Sequence, residues 1–476
     1  MQKLLQQSSQ RFAKRIALSH PEGIFTYQDL QLRTTALQLE DSFNNKSISL
    51  IDGQQTLEEY SQIWACLASG KAFLPLNPAF PATRIEKIQS AIQTCTPEFL
   101  TQLAYIIFTS GSTGEPKGVP ITTLQLAHYC TILQGILAPT ECDRVLQLGD
   151  FSFDISIMAM AIAWPNGASL YAIPKQHVLM APRYAQEHEI TIWLSVPSLV
   201  TLAAKAGLLK PNSLPQIRLA IFGGEALSYQ TAKILSEAAP NARLFNFWGP
   251  TEGTISLSHF EIDRALLQSE HAPDPHLEII PIGCPHPTVE LALWHQEKQE
   301  FTNTEGELCA SSPQITSGYL NNLDVHHSPF FDRDQQRWYR TGDLATWNER
   351  YGYCYQGRID RQVKIKGYRI ELQECELALK KASSSDQVCV IPWDAQLNQQ
   401  TSSDYTELVG MIAGTEIPSS SDSTLLRSNE IKQVLQELLP SYMIPNRVLF
   451  IDALPLTLNG KVDYQALEVL VSGNIQ

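Results

Sequence analysis

The sequence predicts an α/β protein with a parallel-rich sheet, flanking helices and a second, smaller C-terminal region. Three observations carry that expectation. Short apolar runs stop at glycine- or proline-containing turns, helical patterns lie between them, and the composition shifts beyond Gly357. ITIWLSVP (190–197), IRLAIFGG (217–224) and RLFNFWGP (243–250) read as buried strands that each end in a loop. Between the last two, EALSYQTAKILSEAAP reads as a helix, with Ser228 as its cap and Pro240 past its end. Strand, loop, helix, strand calls for parallel pairing with helices on the faces, and ligands in such sheets sit beyond the carboxyl ends of the strands.

The C-terminal region is marked by SSS (383–385), NQQTSSD (398–404) and PSSSDS (418–423), read as loops between short structured pieces. A boundary at Asp360 divides the chain into 1–359 and 360–476. With 43% hydrophobic residues over 476 positions, the chain can bury a sizeable core. Its 35 basic against 49 acidic residues, net −14, argue against nucleic acid as a partner, since neutralising phosphates takes surplus Lys and Arg. The excess acid reads as a solubility feature. Nine scattered cysteines without a C-x-x-C pair point to a reduced compartment and no structural zinc. The N-terminus lacks a signal-peptide core and no apolar run is long enough to span a bilayer. A cytoplasmic protein with no membrane partner is expected.

The run LAYIIF delivers the chain to TSGSTGEPKG (109–118). Gly111, Gly114 and Gly118 permit backbone geometries that other residues resist. Thr109, Ser110, Ser112 and Thr113 supply hydroxyls, successive N–H groups can form an anion nest, and Lys117 adds a positive charge. This composition suits a phosphate, although it is neither a Walker A loop nor G-x-G-x-x-G. A flexible surface turn is the alternative for the loop taken alone.

The loop has companions. FTYQDL (25–30), FPATRI (80–85), NFWGPTE (246–252), GELCASSPQITSGYL (306–320), YRTGDL (339–344), GRIDRQVKIKGYRIEL (357–372) and LPLTLNGKVD (454–463) follow in order. With them the chain resembles the adenylate-forming superfamily: nonribosomal peptide synthetase adenylation domains, acyl-CoA ligases and luciferases. The resemblance covers nearly the whole chain. It implies a large N-terminal domain (1–359) and a small mobile α+β C-terminal domain (360–476). It also implies two half-reactions: ATP and a carboxylic acid give an acyl-adenylate and pyrophosphate, then a thiol takes the acyl group and AMP leaves. Joining two anions at the α-phosphorus makes positioning and charge neutralisation the main catalytic needs.

Carried over motif by motif, the resemblance assigns roles. Glu252 would hold Mg²⁺, a hard cation that prefers carboxylate oxygen, and Thr251 would bind the α-phosphate. Trp248, where the family usually has Tyr, would stack on adenine; the alternative is core packing. Asn246, Phe247, Gly249 and the turn Gly223, Gly224, Glu225 and Ala226 would frame the nucleotide. Asp343 would accept hydrogen bonds from the ribose hydroxyls, unless it is only a local cap. Arg358 would contact ribose or phosphate, Asp360 would be the hinge, and Lys461 would bridge the substrate carboxylate and the α-phosphate. Rotation about Asp360 would exchange Lys461 for the GRIDRQVKIKG segment between the half-reactions.

In FSFDISIM (151–158), Asp154 matches the carboxylate that holds an amino acid's α-ammonium, a charge costly to bury unpaired. Its alternative is a helix cap. The matching side-chain pocket is Ile155, Met158, Leu194, Ile221, Gly223, Phe247, Ile255 and Ser256, with Lys461 also touching substrate. No charged group stands in it, and its bulky members fill space, so glycine or alanine is favoured, with proline next. FSFDISIM, WLSVPS and GGEAL are most similar to free-standing D-alanine–carrier protein ligases. Residues 464–476 hold no Gly-Gly-x-Ser segment, so a phosphopantetheinylated carrier protein acting in trans is expected. The alternatives are a CoA ligase for a small acid and an inactive adenylate-binding relative. One departure stands out. EKIQSAIQTCTPEFLTQLA (86–104) leaves little room for a strand–helix–strand unit, so the N-terminal domain is expected to be trimmed there.

Overall fold

A computed structural model describes residues 1–40, 43, 47–111, 115–320, 329–393, 407–414, 421–456 and 462–473. The chain clusters into two compact units. The larger comprises Met1–Pro78, Ala91–Phe108 and Gly118–Ile359; the smaller comprises Ala79–Ser90, Thr109–Lys117 and Asp360–Gln476.

The larger unit is organised by a nine-stranded sheet. Its centre runs Arg243–Trp248, Leu219–Phe222, Ile192–Ser195, Arg144–Gln147 and Ser169–Ala172, all parallel. The three strands expected from the apolar runs are adjacent, with Ile221 level with Leu194 on one side and Phe245 on the other. Every residue of Ile192–Ser195 and Leu219–Phe222 is buried, as befits parallel strands covered on both faces. Helix Tyr229–Ala238 lies between two of them in sequence, and Ser228 caps it by accepting from the Thr231 N–H. Antiparallel pairs close both ends: Ile16–His20 with Gly23–Thr26, and Ser258–Ile262 with Arg243–Trp248.

A second sheet is parallel where its pairing is described: Ile48–Ile51 with Ala72–Pro75, and Ala72–Pro75 with Leu103–Thr109. Helices Ala82–Gln93 and Pro97–Leu100 occupy the shortened interval before Leu103–Thr109. Among the described residues that interval holds no strand of its own. A six-stranded sheet, Glu290–His295 through Gly352–Arg358, completes the unit.

In the smaller unit the hairpin Gln362–Ile365/Tyr368–Glu371 leads into helix Leu372–Ser383. A three-stranded sheet follows, ordered Val388–Trp393, Glu407–Ala413, Arg447–Ile451. Leu379, Val390, Ile412, Leu435 and Met443 share its core. Residues 398–404 and 418–420 lie outside the described residues, but 421–423 begin the helix Ser421–Leu438 rather than a loop. None of the nine cysteines is paired. Among the described residues no helix is long and apolar enough to cross a membrane.

Candidate active site

Parallel strands end at Ser195, Phe222 and Trp248, and their carboxyl ends together with the loops beyond them carry most of the expected residues of the larger unit. Met158, Leu194, Ile221, Phe247 and Ile255 belong to one buried cluster, with Ile155 packed against it. Gly223 is adjacent: a Cβ there would meet only the Phe247 carbonyl, at 3.4 Å. Asp154 is the first residue of helix Asp154–Ala163, whose N-cap is Phe153 with no side-chain cap bond. Asp154 thus stands in the first turn, one position past the N-cap. Two tyrosines feel its charge. Burial first, then Asp154, raises the pKa of Tyr105 far above its ordinary value. Burial likewise raises Tyr129, and Asp154 adds to it against the pull of a Ser256 hydrogen bond. The Tyr105 hydroxyl is buried with no hydrogen-bond partner.

The segment after Trp248 is bent sharply. Thr254 and Ile255 both sit at positive φ, 57° and 77°, a strained state for a β-branched residue. Gln314 holds this turn: its side-chain amide donates to the carbonyls of Gly253 and Ser256, at 3.1 and 3.0 Å, and its backbone carbonyl accepts from Thr254 Oγ1 at 2.6 Å. Gly249 allows the backbone to close on itself, because a Cβ there would lie 2.4 Å from Ser256 Cα. Ser256 Oγ is then 2.7 Å from Tyr129 Oη and 3.0 Å from His286 Nε2. His286 Nδ1 lies 3.2 Å from His259 Nδ1. Burial, aided by His259, pushes the His286 pKa down to about 3, so the ring is neutral.

Asp343 is 3% exposed. Trp248 Nε1 donates to its Oδ2 at 2.9 Å and Arg358 Nη1 to its Oδ1 at 2.6 Å. The Arg358 contact follows from strand register, since Asp343 and Arg358 are directly opposed across an antiparallel pair. The Trp248 ring packs among Leu257, Ile282, Leu308 and Tyr339, so it is a core residue as well as a donor. Asn246 donates to the carbonyls of Ile280 and Pro281 at 3.1 and 3.0 Å. Glu225 accepts from the N–H and hydroxyl of Ser198 at 2.9 and 3.1 Å, at the start of helix Pro197–Lys205. Ala226 and Gly224 complete that turn, with Gly224 at φ +86°.

Thr251 and Glu252 form a one-turn 3-10 helix. Glu252 is 1% exposed and accepts from the Tyr319 hydroxyl at 2.7 Å. A buried carboxylate suits Mg²⁺, which keeps waters and substrate phosphates as its other ligands. No cluster of three metal-ligating side chains occurs among the described residues.

In the smaller unit, Ser110 Oγ donates to the Arg369 carbonyl at 3.0 Å. Gly111 is needed for the loop's closure, since a Cβ there would lie 2.1 Å from the Glu115 carbonyl oxygen. Thr109 precedes these residues, and Lys117 acts electrostatically on Glu371. Asp360 accepts from the Gln362 N–H at 3.2 Å. Ser112, Thr113, Gly114 and Lys461 lie outside the described residues. Sequence reading missed Tyr129, His259, His286 and Gln314, none of which stands in a motif beside its partner.

Residues 89–320 match the family model described as AMP-binding enzyme. A D-alanine--D-alanyl carrier protein ligase of Lacticaseibacillus rhamnosus is 30% identical over 95% of this chain and 97% of its own. The enzyme of that name from Staphylococcus epidermidis is 28% identical over 96% of each chain. Among solved structures, the Vibrio cholerae adenylation domain AlmE, in complex with glycyl-adenosine-5'-phosphate, gives a TM-score of 0.85. It is 24% identical and aligns over 99% of this chain and 97% of that one. At that identity the likeness establishes the fold.

Proposed function

This chain belongs to the AMP-binding family of adenylate-forming enzymes, and on that premise we propose that it activates a small uncharged amino acid for transfer to a carrier protein. The amino acid is glycine or alanine ahead of proline. The acceptor is the phosphopantetheine thiol of a separate carrier. The observation that carries the reading is Asp154, a carboxylate at the first position of a helix whose next turn, with Ile155 and Met158, packs into an apolar cluster with the other expected pocket residues. The relatives named D-alanine--D-alanyl carrier protein ligase support it over nearly their whole length.

In the first step a carboxylate oxygen of the amino acid attacks the α-phosphorus of ATP. The new acyl–phosphate bond forms as the bond to the α,β-bridging oxygen breaks, and pyrophosphate leaves. Asp154 pairs with the α-ammonium, so the attacking end is oriented before reaction. Asp343 takes the ribose hydroxyls. An ionised carboxylate has about four lone-pair positions, and with Trp248 and Arg358 each using one, a position remains on each oxygen. The Thr109–Lys117 loop receives the phosphates, and Thr251 the α-phosphate. Glu252 would hold Mg²⁺, which when bound offsets phosphate charge. Lys461 bridges the two reacting anions. In the second step the carrier thiol attacks the acyl carbon, a thioester forms, AMP leaves, and the thiol proton passes to solvent. Asp360 is the proposed hinge.

The test is amino-acid-dependent exchange of labelled pyrophosphate into ATP. Exchange with glycine or alanine supports the reading. Exchange with non-amino acids alone, or none at all, overturns it.

A further inference from the structure

Ser256 and Phe247 are pocket positions whose side chains are backed by residues outside the motifs. Ser256 Oγ is held from two sides, by Tyr129 Oη at 2.7 Å and His286 Nε2 at 3.0 Å. Both partners are buried, Tyr129 fully and His286 to 2% exposure. A hydroxyl offers one donor and two acceptor positions, so at most one of the three on Ser256 remains for a substrate. The same imidazole backs the other wall. The His286 ring centroid is 5.4 Å from that of Phe247, and His259 is 5.6 Å from Phe247 while stacking on His286 at 5.2 Å. The His286 backbone N–H also donates to the Leu257 carbonyl at 2.8 Å, tying the residue's main chain to the segment that follows Ser256.

Two proton orders fit the row: Tyr129 donates to Ser256, Ser256 to His286 Nε2 and His286 Nδ1 to His259 Nδ1, or each proton runs the opposite way. Either needs a neutral His286, which its burial enforces. The wall behind Ser256 and Phe247 is thus uncharged and fixed by hydrogen bonds. A packed interior yields little to an added methylene, because neighbours must leave their rotamers.

We propose that His286 and Tyr129 are specificity-determining positioning residues, which hold Ser256 and Phe247 rigid and so set the upper size limit of the amino-acid side chain. This rests on the proposed amino-acid activation. It goes beyond it by assigning the limit to two residues that need not touch the substrate.

The experiment is pyrophosphate exchange by the full chain with glycine, alanine, valine and leucine. The enzymes compared are unmodified, His286→Ala, His286→Gln and Tyr129→Phe. Differential side-chain exclusion worth one or two methylenes corresponds to about 10–200-fold in kcat/KM. His286→Ala is therefore expected to raise the valine-to-alanine ratio by about tenfold or more, with the KM for ATP unchanged. Tyr129→Phe, which keeps the ring and is the safer variant for folding, is expected to raise that ratio less. His286→Gln, which retains a hydrogen-bonding group, is expected to restore most of the discrimination. Equal loss for every amino acid, or an unaltered ratio in both His286→Ala and Tyr129→Phe, would overturn the proposal. If the unmodified enzyme exchanges with no amino acid, the functional reading itself fails, which is a different result.

Discussion

The proposed ribose corner and the proposed side-chain wall both centre on a buried polar group and are built on opposite principles. At Asp343 a carboxylate is pinned by a guanidinium and an indole N–H. At Ser256 a hydroxyl is pinned by a phenol and a neutral imidazole. Charge is concentrated where the proposed ligand is an unvarying polyhydroxyl. It is absent where the ligand must be chosen by size. A buried charge facing the side-chain pocket would reward any oppositely charged side chain, whereas a neutral wall offers only its shape.

The largest effect should come from neither region. If both serve binding and orientation, removing the group that neutralises charge in the transition state should cost more than any change to either. Lys461→Ala is expected to lower adenylation by about 10²–10³-fold, the scale of losing one such stabilising group. The melting temperature should be unchanged. Near-normal pyrophosphate exchange in that variant would refute the assignment and leave the chemistry without a cation.

Next in size is Asp154→Ala, which attacks the amino-acid side through its one proposed charge. Truncating one partner of a buried charge pair costs about 2–5 kcal/mol, so the KM for the amino acid should rise by roughly a hundredfold. The KM for ATP should stay where it was. A variant that activates amino acids as well as the unmodified enzyme would mean the ammonium sits elsewhere.

The ribose corner should respond more mildly, and only on the nucleotide side. Hydrogen bonds to charged groups contribute about 1.5–3 kcal/mol. Replacing Arg358 by Met should therefore raise the KM for ATP by about tenfold or more. Trp248→Phe keeps the packing among Leu257, Ile282 and Tyr339 but removes the indole donor, and a few-fold rise is expected. Discrimination between ATP and 2'-deoxy-ATP should weaken in both variants, because Asp343 would no longer be fixed. If amino-acid selectivity moved instead, the separation of the two regions would be wrong.

These two regions also differ in how far the sequence disclosed them. The central strands were legible because each is a contiguous apolar run ending in Gly or Pro, and parallel strands are buried along their whole length. Asp343, Arg358 and Trp248 were legible one at a time through their motifs. Their hydrogen bonds were not, because the Asp343–Arg358 contact is a product of strand register and Trp248 lies 95 residues from Asp343. The wall was legible only at Phe247 and Ser256. Tyr129 is 127 residues away and His286 is 30, and neither carries a local pattern that distinguishes a buried hydrogen-bonding side chain from an ordinary one. The clamp by Gln314 is 58 residues from the Ser256 carbonyl it holds. Periodicity reports which face is buried, not which polar groups meet across it.

The smallest effect expected is invisible at neutral pH and sharpens the contrast from the stability side. His286 stays neutral in the folded chain down to a pKa of about 3, whereas an unfolded histidine takes up a proton near 6.5. Between those values the unfolded state binds the extra proton, so stability rises with pH through the window. The full contribution is present above about pH 6.5 and is lost as pH falls toward 3. The slope from one such group is at most about 1.4 kcal/mol per pH unit. Between pH 5 and 6.5 most carboxylates are already ionised, which leaves histidines as the main titrating groups there. His286→Gln removes one of them, so its unfolding free energy, followed by urea titration, should fall less steeply with acidification across that interval. Equal slopes for His286→Gln and the unmodified chain would mean that the imbalance at His286 is not there, and that the wall behind Ser256 is not held neutral by burial.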